Sequence, residues 1–227
     1  MCGIAGIMYK GSEGIFDTGE ALIRMLDGCQ HRGPDSTGFA LYGEANPGEL
    51  KLRFFLGTAS DSETAIETIR QRLLALKAVI LDESEVGDNY RVTVKYVGDV
   101  QKLAYDMEHT AKVISIGASL EIVKDVGSAH EVDDRYAVRS YRGTHGLGHV
   151  RLATESDVKP EASHPFWATG FADVAIVHNG QITNYWKMRR RLEQRGFEFT
   201  TDNDSELIAV YLADKLAQGS DLNAALE

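Results

Sequence analysis

Cysteine stands second in Met1-Cys2-Gly3-Ile4-Ala5-Gly6-Ile7, so removal of one methionine would make it the first residue of the chain. Cys2 would then carry a free α-amino group beside its thiol. An α-amine titrates near ~7.7 to 8 and a thiol near ~8.5, so at neutral pH the amine is partly unprotonated and able to take the thiol's proton. One residue would hold nucleophile and general base together. Gly3, Ala5 and Gly6 leave room for a substrate or a facing strand, while Ile4 and Ile7 are expected to anchor the strand in a core. A buried N-terminal strand with an inert cysteine fits the same residues, so other parts of the chain must decide.

A thiolate attacking a carboxamide needs donors for the developing oxyanion and groups that recognise the substrate's other end. Asn179-Gly180 supplies a side-chain amide and an unhindered backbone N–H. The same pair is a strong signal for a type I′ hairpin turn. Arg151 offers a planar fork suited to a carboxylate, at or near the end of an expected strand. Asp204 stands at an expected helix start, where it either caps the N-terminus or holds a substrate ammonium. His31-Arg32-Gly33-Pro34-Asp35-Ser36 reads as a polar turn. Cys29 falls on an apolar helical stripe with Leu22, Met25 and Leu26, which makes it a core thiol rather than a second nucleophile.

The elements that must position these residues follow from periodicity. Helices are expected over 17–29, 61–76, 99–112, 184–195 and 204–216, and strands over 37–42, 90–97, 113–116, 146–154 and 172–177. The strand over 172–177 is an apolar run and should be buried. The charged run 131–135 reads as a solvated loop. From about 43 to 141, helices alternate with short strands and no chemical motif appears, which marks an insertion or extension of the core domain.

Composition bounds the function. The 227 residues, 43% hydrophobic, suffice for one substantial core, and one domain with an insertion is the simplest division. The 34 acidic residues exceed the 24 basic ones to give a net charge of -10, which argues against nucleic acid or an anionic membrane as partner. No long apolar run or basic leader is present, so a cytoplasmic protein is expected. Two cysteines form no disulfide framework and no metal-ligand spacing, and no metal is expected.

Five segments in order resemble class II glutamine amidotransferase domains of the N-terminal-nucleophile hydrolase type. They are Met1 to Ile7, His31 to Ser36, His149-Val150-Arg151-Leu152-Ala153-Thr154, His178-Asn179-Gly180, and Thr201-Asp202-Asn203-Asp204-Ser205-Glu206. The resemblance implies an α+β fold, a four-layer αββα sandwich of two antiparallel sheets between helices. It implies that Cys2 is the nucleophile, that Asn179 and Gly180 form the oxyanion hole, and that Arg151 and Asp204 bind the α-carboxylate and α-amino group of L-glutamine. Arg32 and Gly33 would shape the loop beside the nucleophile, Thr154 would line the pocket, and His164 and His178 would support it.

Within that family the chain is most similar to separate subunits related to glutamate synthase, including that of N-methylglutamate synthase. Ala153-Thr154-Glu155-Ser156, Ser163-His164-Pro165-Phe166 and Ile122 to Gly127 carry this finer likeness. Branches that make amino sugars or asparagine usually show histidine where Glu155 stands. The likeness implies a hetero-oligomer in which ammonia passes to a synthase subunit. Flavin (FMN), and an iron-sulfur cluster in some assemblies, would belong to partner subunits, with no cofactor in this chain. Family members continue with further strands after the helix at 204–216, so a fragment, or a sheet completed by a partner, is also implied. Two other readings suit the same residues: an amidase of this fold with another substrate, and a non-catalytic subunit that keeps the fold.

Overall fold

The computed structural model describes residues 2–10, 14–57, 62–152, 160 and 163–226. Its first sheet holds, in spatial order, β1 (Gly3–Met8), β8 (His145–Arg151), β2 (Ser36–Tyr42) and β7 (Leu120–Val126), all antiparallel. A second antiparallel sheet holds β4 (Val79–Val86), β5 (Asn89–Lys95), β3 (Glu49–Phe55) and β6 (Lys112–Gly117). Consecutive strands link the two. β2 is followed by β3 and β6 by β7, while β2 pairs with β7 and β3 with β6, so one two-stranded ribbon runs from the first sheet into the second.

Alternation along the strands gives the first sheet two different faces. On one, Ala5, Phe39, Leu41, Val123 and Val150 pack against Leu22, Ile23 and Leu26 of α1 (Thr18–Cys29) and Ala129 and Val132 of α4 (Ala129–Tyr136). Each fully buried leucine or isoleucine contributes about 1.5 to 3 kcal/mol. On the other, Ala40, Tyr42, Leu120 and Ile122 join a larger core with Leu52, Phe54, Val92 and Val94 of the second sheet and with α2 (Ser62–Ala75) and α3 (Val100–Glu108). The short pair β9 (Phe166–Trp167) and β10 (Ala175–Ile176) lies against α6 (Asp204–Ala217). α5 (Tyr185–Glu193) also packs on α6, and α7 (Leu222–Leu226) follows it. Helices and antiparallel sheets thus combine in an α+β arrangement compatible with a sandwich.

Several expectations are corrected. The charged run 131–135 is helix α4, because Ser128 and Glu131 form a reciprocal capping box that satisfies its first turn. Ile4 is 42% exposed, since its neighbour Ala5 takes the inward position of the strand. Met25, expected on the buried stripe of α1, is 41% exposed. The run 172–177 yields only the half-buried pair Ala175–Ile176. Asp173 keeps the start of the run out of the strand by turning to positive φ, where its carboxylate accepts from the backbone N–H groups of Ala118, Ser119 and Leu120. The helix expected to begin at Asp204 does so, but its cap is Asn203, which accepts from the Ser205 N–H. β7 lies within the 43–141 stretch yet completes the first sheet. Asp61, Thr154 and Glu155 lie outside the described residues.

Candidate active site

Cys2 sits one residue before β1, beside the end of β8, where its Sγ is 4.0 Å from the Leu152 carbonyl oxygen. Both neighbours on this sheet end belong to the predicted segments. Register sets Arg151 opposite Ser36, and the Asp35 N–H donates to the Arg151 carbonyl. The turn before β2 presses against the same strand. A Cβ on Gly33 would stand 2.4 Å from the carbonyl carbon and oxygen of Val150, so only glycine allows this approach. Gln30, which sequence reasoning missed, braces the turn: its amide donates to the Gly33 carbonyl and accepts from the Ala129 N–H at the start of α4. Arg32 closes the short 3-10 turn just ahead of Gly33.

The Asn179 side chain reaches this sheet end, donating from Nδ2 to the Cys2 carbonyl at 3.3 Å. Neither Asn179 nor Gly180 has positive φ, so the type I′ hairpin that Asn-Gly could have formed is not present. Gly180 is held against the preceding imidazole, since a Cβ there would lie 2.6 Å from His178 Nε2. His178 turns the other way with its Nδ1, which is 3.3 Å from Ser205 Oγ and 3.7 Å from Asp204 Oδ1. The other carboxylate oxygen of Asp204 accepts from the Ile182 N–H at 2.8 Å. Asp204 is therefore fastened to the segment that follows the Asn179-Gly180 turn.

Behind these groups lies a buried pair of histidines. His164 shares a 2.7 Å hydrogen bond between Nε2 and Ser205 Oγ, and its ring stacks on His149 at 4.3 Å. Burial, followed by the charges of His149, Lys124, His178 and Arg151, pushes His164 down to about 2. Burial and then Arg151 push His149 down to about 4. Burial thus favours the neutral form of both rings at pH 7, and His164 is hydrogen-bonded to Ser205. Lys124 fixes the His164 segment by donating to the carbonyls of Ser163 and Pro165 and lying over the Phe166 ring.

Glu206, the last residue of the Thr201 to Glu206 motif, organises the chain ahead of α6. Its carboxylate accepts from the backbone N–H groups of Thr200 and Thr201 and the hydroxyls of Thr169, Thr200 and Thr201. Ser205 and Glu206 were legible only as members of the motif, since local sequence carries no sign of what they touch. The structure brings Cys2, Gly33, Arg151 and Asn179 to one sheet end, and joins Asp204, His178 and His164 to one another through Ser205 and the 178–182 segment. Among the described residues no cluster of metal-ligating side chains occurs, and no helix is long and apolar enough to cross a membrane.

Chemically, this constellation sets the Asn179 side-chain amide on the backbone of a thiol-bearing residue, with Arg151 at the end of the neighbouring strand and the Asp204 carboxylate on a flanking helix. Comparison with known proteins gives the same direction. A family model described as a glutamine amidotransferase domain matches residues 127–223. A protein of Methanothermobacter thermautotrophicus named as a glutamine amidotransferase is 39% identical over 239 residues, covering 100% of this chain and 76% of its own. The glutamine amidotransferase-like protein GlxB of Rhizobium meliloti is 36% identical over 237 residues, covering 100% of this chain and 74% of its own. A glutamine–fructose-6-phosphate aminotransferase of Methanothermobacter thermautotrophicus is 32% identical over 126 residues, 56% of this chain and 21% of its own.

Proposed function

The chain belongs to the glutamine amidotransferase family, and from that premise we propose that it is a class II, N-terminal-nucleophile enzyme that hydrolyses L-glutamine through Cys2. With Met1 removed, the α-amine of Cys2 takes the thiol proton and the thiolate attacks the side-chain amide carbon. Asn179 Nδ2 and the Gly180 N–H hold the oxyanion. The amine returns the proton to the leaving nitrogen, ammonia departs, and water cleaves the γ-glutamyl thioester to glutamate. Arg151 binds the α-carboxylate, Asp204 the α-ammonium, Thr154 lines the pocket, and Arg32 and Gly33 shape its rim.

One observation carries this reading: the Asn179 amide lies on the Cys2 backbone although 177 residues separate them. Turning that amide from the Cys2 carbonyl toward a bound substrate would supply the oxyanion donor.

Ammonia would pass to a synthase subunit of the glutamate synthase or N-methylglutamate synthase kind, which would hold FMN and, in some assemblies, an iron-sulfur cluster. The stretch 43–141, apart from β7 and α4 that belong to the first sheet and its core, would contribute to that hetero-oligomeric contact in the cytoplasm. The test is glutamine turnover by the purified protein with its N-terminal mass recorded. Asn179→Ala should lower kcat about 100- to 1000-fold. Turnover that survives Cys2→Ala would refute the mechanism, and turnover indifferent to Arg151→Ala and Asp204→Asn would point to another amide as substrate.

A further inference from the structure

We infer that Arg189 is a positioning residue for recognition of the substrate's α-amino group, acting through the segment that carries Asp204. The inference rests on the proposed glutamine chemistry.

α5 is a basic helix, and its cations divide sharply. Lys187, Arg190 and Arg191 are exposed, and their side chains make no hydrogen bond or ion pair among the described residues. Arg189 alone turns inward, with its side chain 14% exposed. Its Nη1 donates to the Thr201 carbonyl and to Asp202 Oδ1, each at 2.8 Å, and to the Tyr185 hydroxyl. Its Nε donates to Glu193, and the guanidinium lies 4.9 Å over the Phe199 ring. One planar fork therefore grips backbone, carboxylate and ring at once, which a lysine ammonium cannot do.

What it grips is the approach to Asp204. Thr201 is a junction: its carbonyl accepts from Arg189, its N–H and hydroxyl donate to Glu206, and its Oγ1 accepts from the Asn203 N–H. Asn203 then caps α6, whose first residue is Asp204. α5 itself begins five residues after Gly180. Arg189 thus spans the two halves of the candidate site, tying the helix that follows the Asn179-Gly180 turn to the strand of chain that sets the Asp204 carboxylate. Arg189 adds to the ties that the Ile182 N–H and the His178 ring already make with Asp204 and Ser205. Loosening the Arg189 tie should disturb the ammonium contact while leaving the attack at the amide carbon intact.

The test compares L-glutamine with glutaramate, which is glutamine without its α-amino group. The wild type should prefer glutamine. Arg189→Lys should raise KM for glutamine about tenfold with kcat within about threefold, and should leave glutaramate turnover unchanged, so that the preference collapses. Asp202→Asn, whose side chain is 80% exposed and safe for folding, should shift the same ratio about two- to threefold. Equal losses on both substrates would reveal general damage and overturn the inference. An unchanged ratio in Asp202→Asn, should Arg189→Lys fail to fold, would overturn it as well. No glutamine turnover by the wild type would instead refute the proposed function, before any variant is compared.

Discussion

Replacing Glu206 by alanine should be among the most damaging single changes outside the reacting groups. Glu206 is 1% exposed, and its carboxylate serves five donors. The three threonine hydroxyls can rotate toward other acceptors. The backbone N–H groups of Thr200 and Thr201 cannot, and each stranded donor costs about 1 to 3 kcal/mol. Two of them give roughly 4 kcal/mol, a large share of the ~5 to 15 kcal/mol that holds a domain folded. Urea unfolding followed by circular dichroism would read the loss as a lower midpoint at unchanged slope. KM for glutamine should rise too, because the freed segment leads directly into Asp204. A loss below about 1 kcal/mol would refute the argument that this carboxylate organises the segment.

Three further outcomes are expected. Gly33→Ala would drive a Cβ to 2.4 Å from the Val150 carbonyl and 2.6 Å from the Arg151 nitrogen; as backbone cannot step aside, the melting point should fall by an amount equivalent to about 1 to 3 kcal/mol. Ser128→Ala removes half of the capping box on α4 and should cost about 1 kcal/mol in urea unfolding, with glutamine turnover retained. His149 and His164 are depressed in the folded protein, to about 4 and about 2, so the unfolded chain binds more protons below their ordinary value of 6.5. Stability should therefore be unaffected by these rings above pH 6.5 and fall as pH drops from 6.5 toward 4, by at most about 1.4 kcal/mol per unit for each ring. His149→Phe should flatten that slope in a pH series of urea midpoints.

The chemistry-bearing residues were legible because their types are distinctive: a cysteine one peptide bond from the end of the chain, an Asn-Gly pair, an arginine at a strand end. Helices α1, α2 and α6 were legible from apolar spacing. α4 was not, because its core-facing residues are few and its charges dominate, and only the Ser128 to Glu131 spacing betrayed it. β3, β4 and β7 are not among the strands that periodicity predicts within 43–141, although their pairing fixes the sheet order. Asn203 rather than Asp204 caps α6 because the two side chains compete for one position, and Asp204 is engaged by Ile182. Gln30, Ser205, Glu206 and Arg189 act through partners distant in sequence or through backbone groups, which no local pattern encodes.

The central claim is covalent chemistry at Cys2, and peptide mapping of the enzyme acid-quenched during glutamine turnover tests it most directly. The account predicts a γ-glutamyl thioester on an N-terminal peptide that begins with Cys2 and carries a free α-amine. Steady turnover with Cys2 unmodified, or with Met1 still attached to it, would contradict the account.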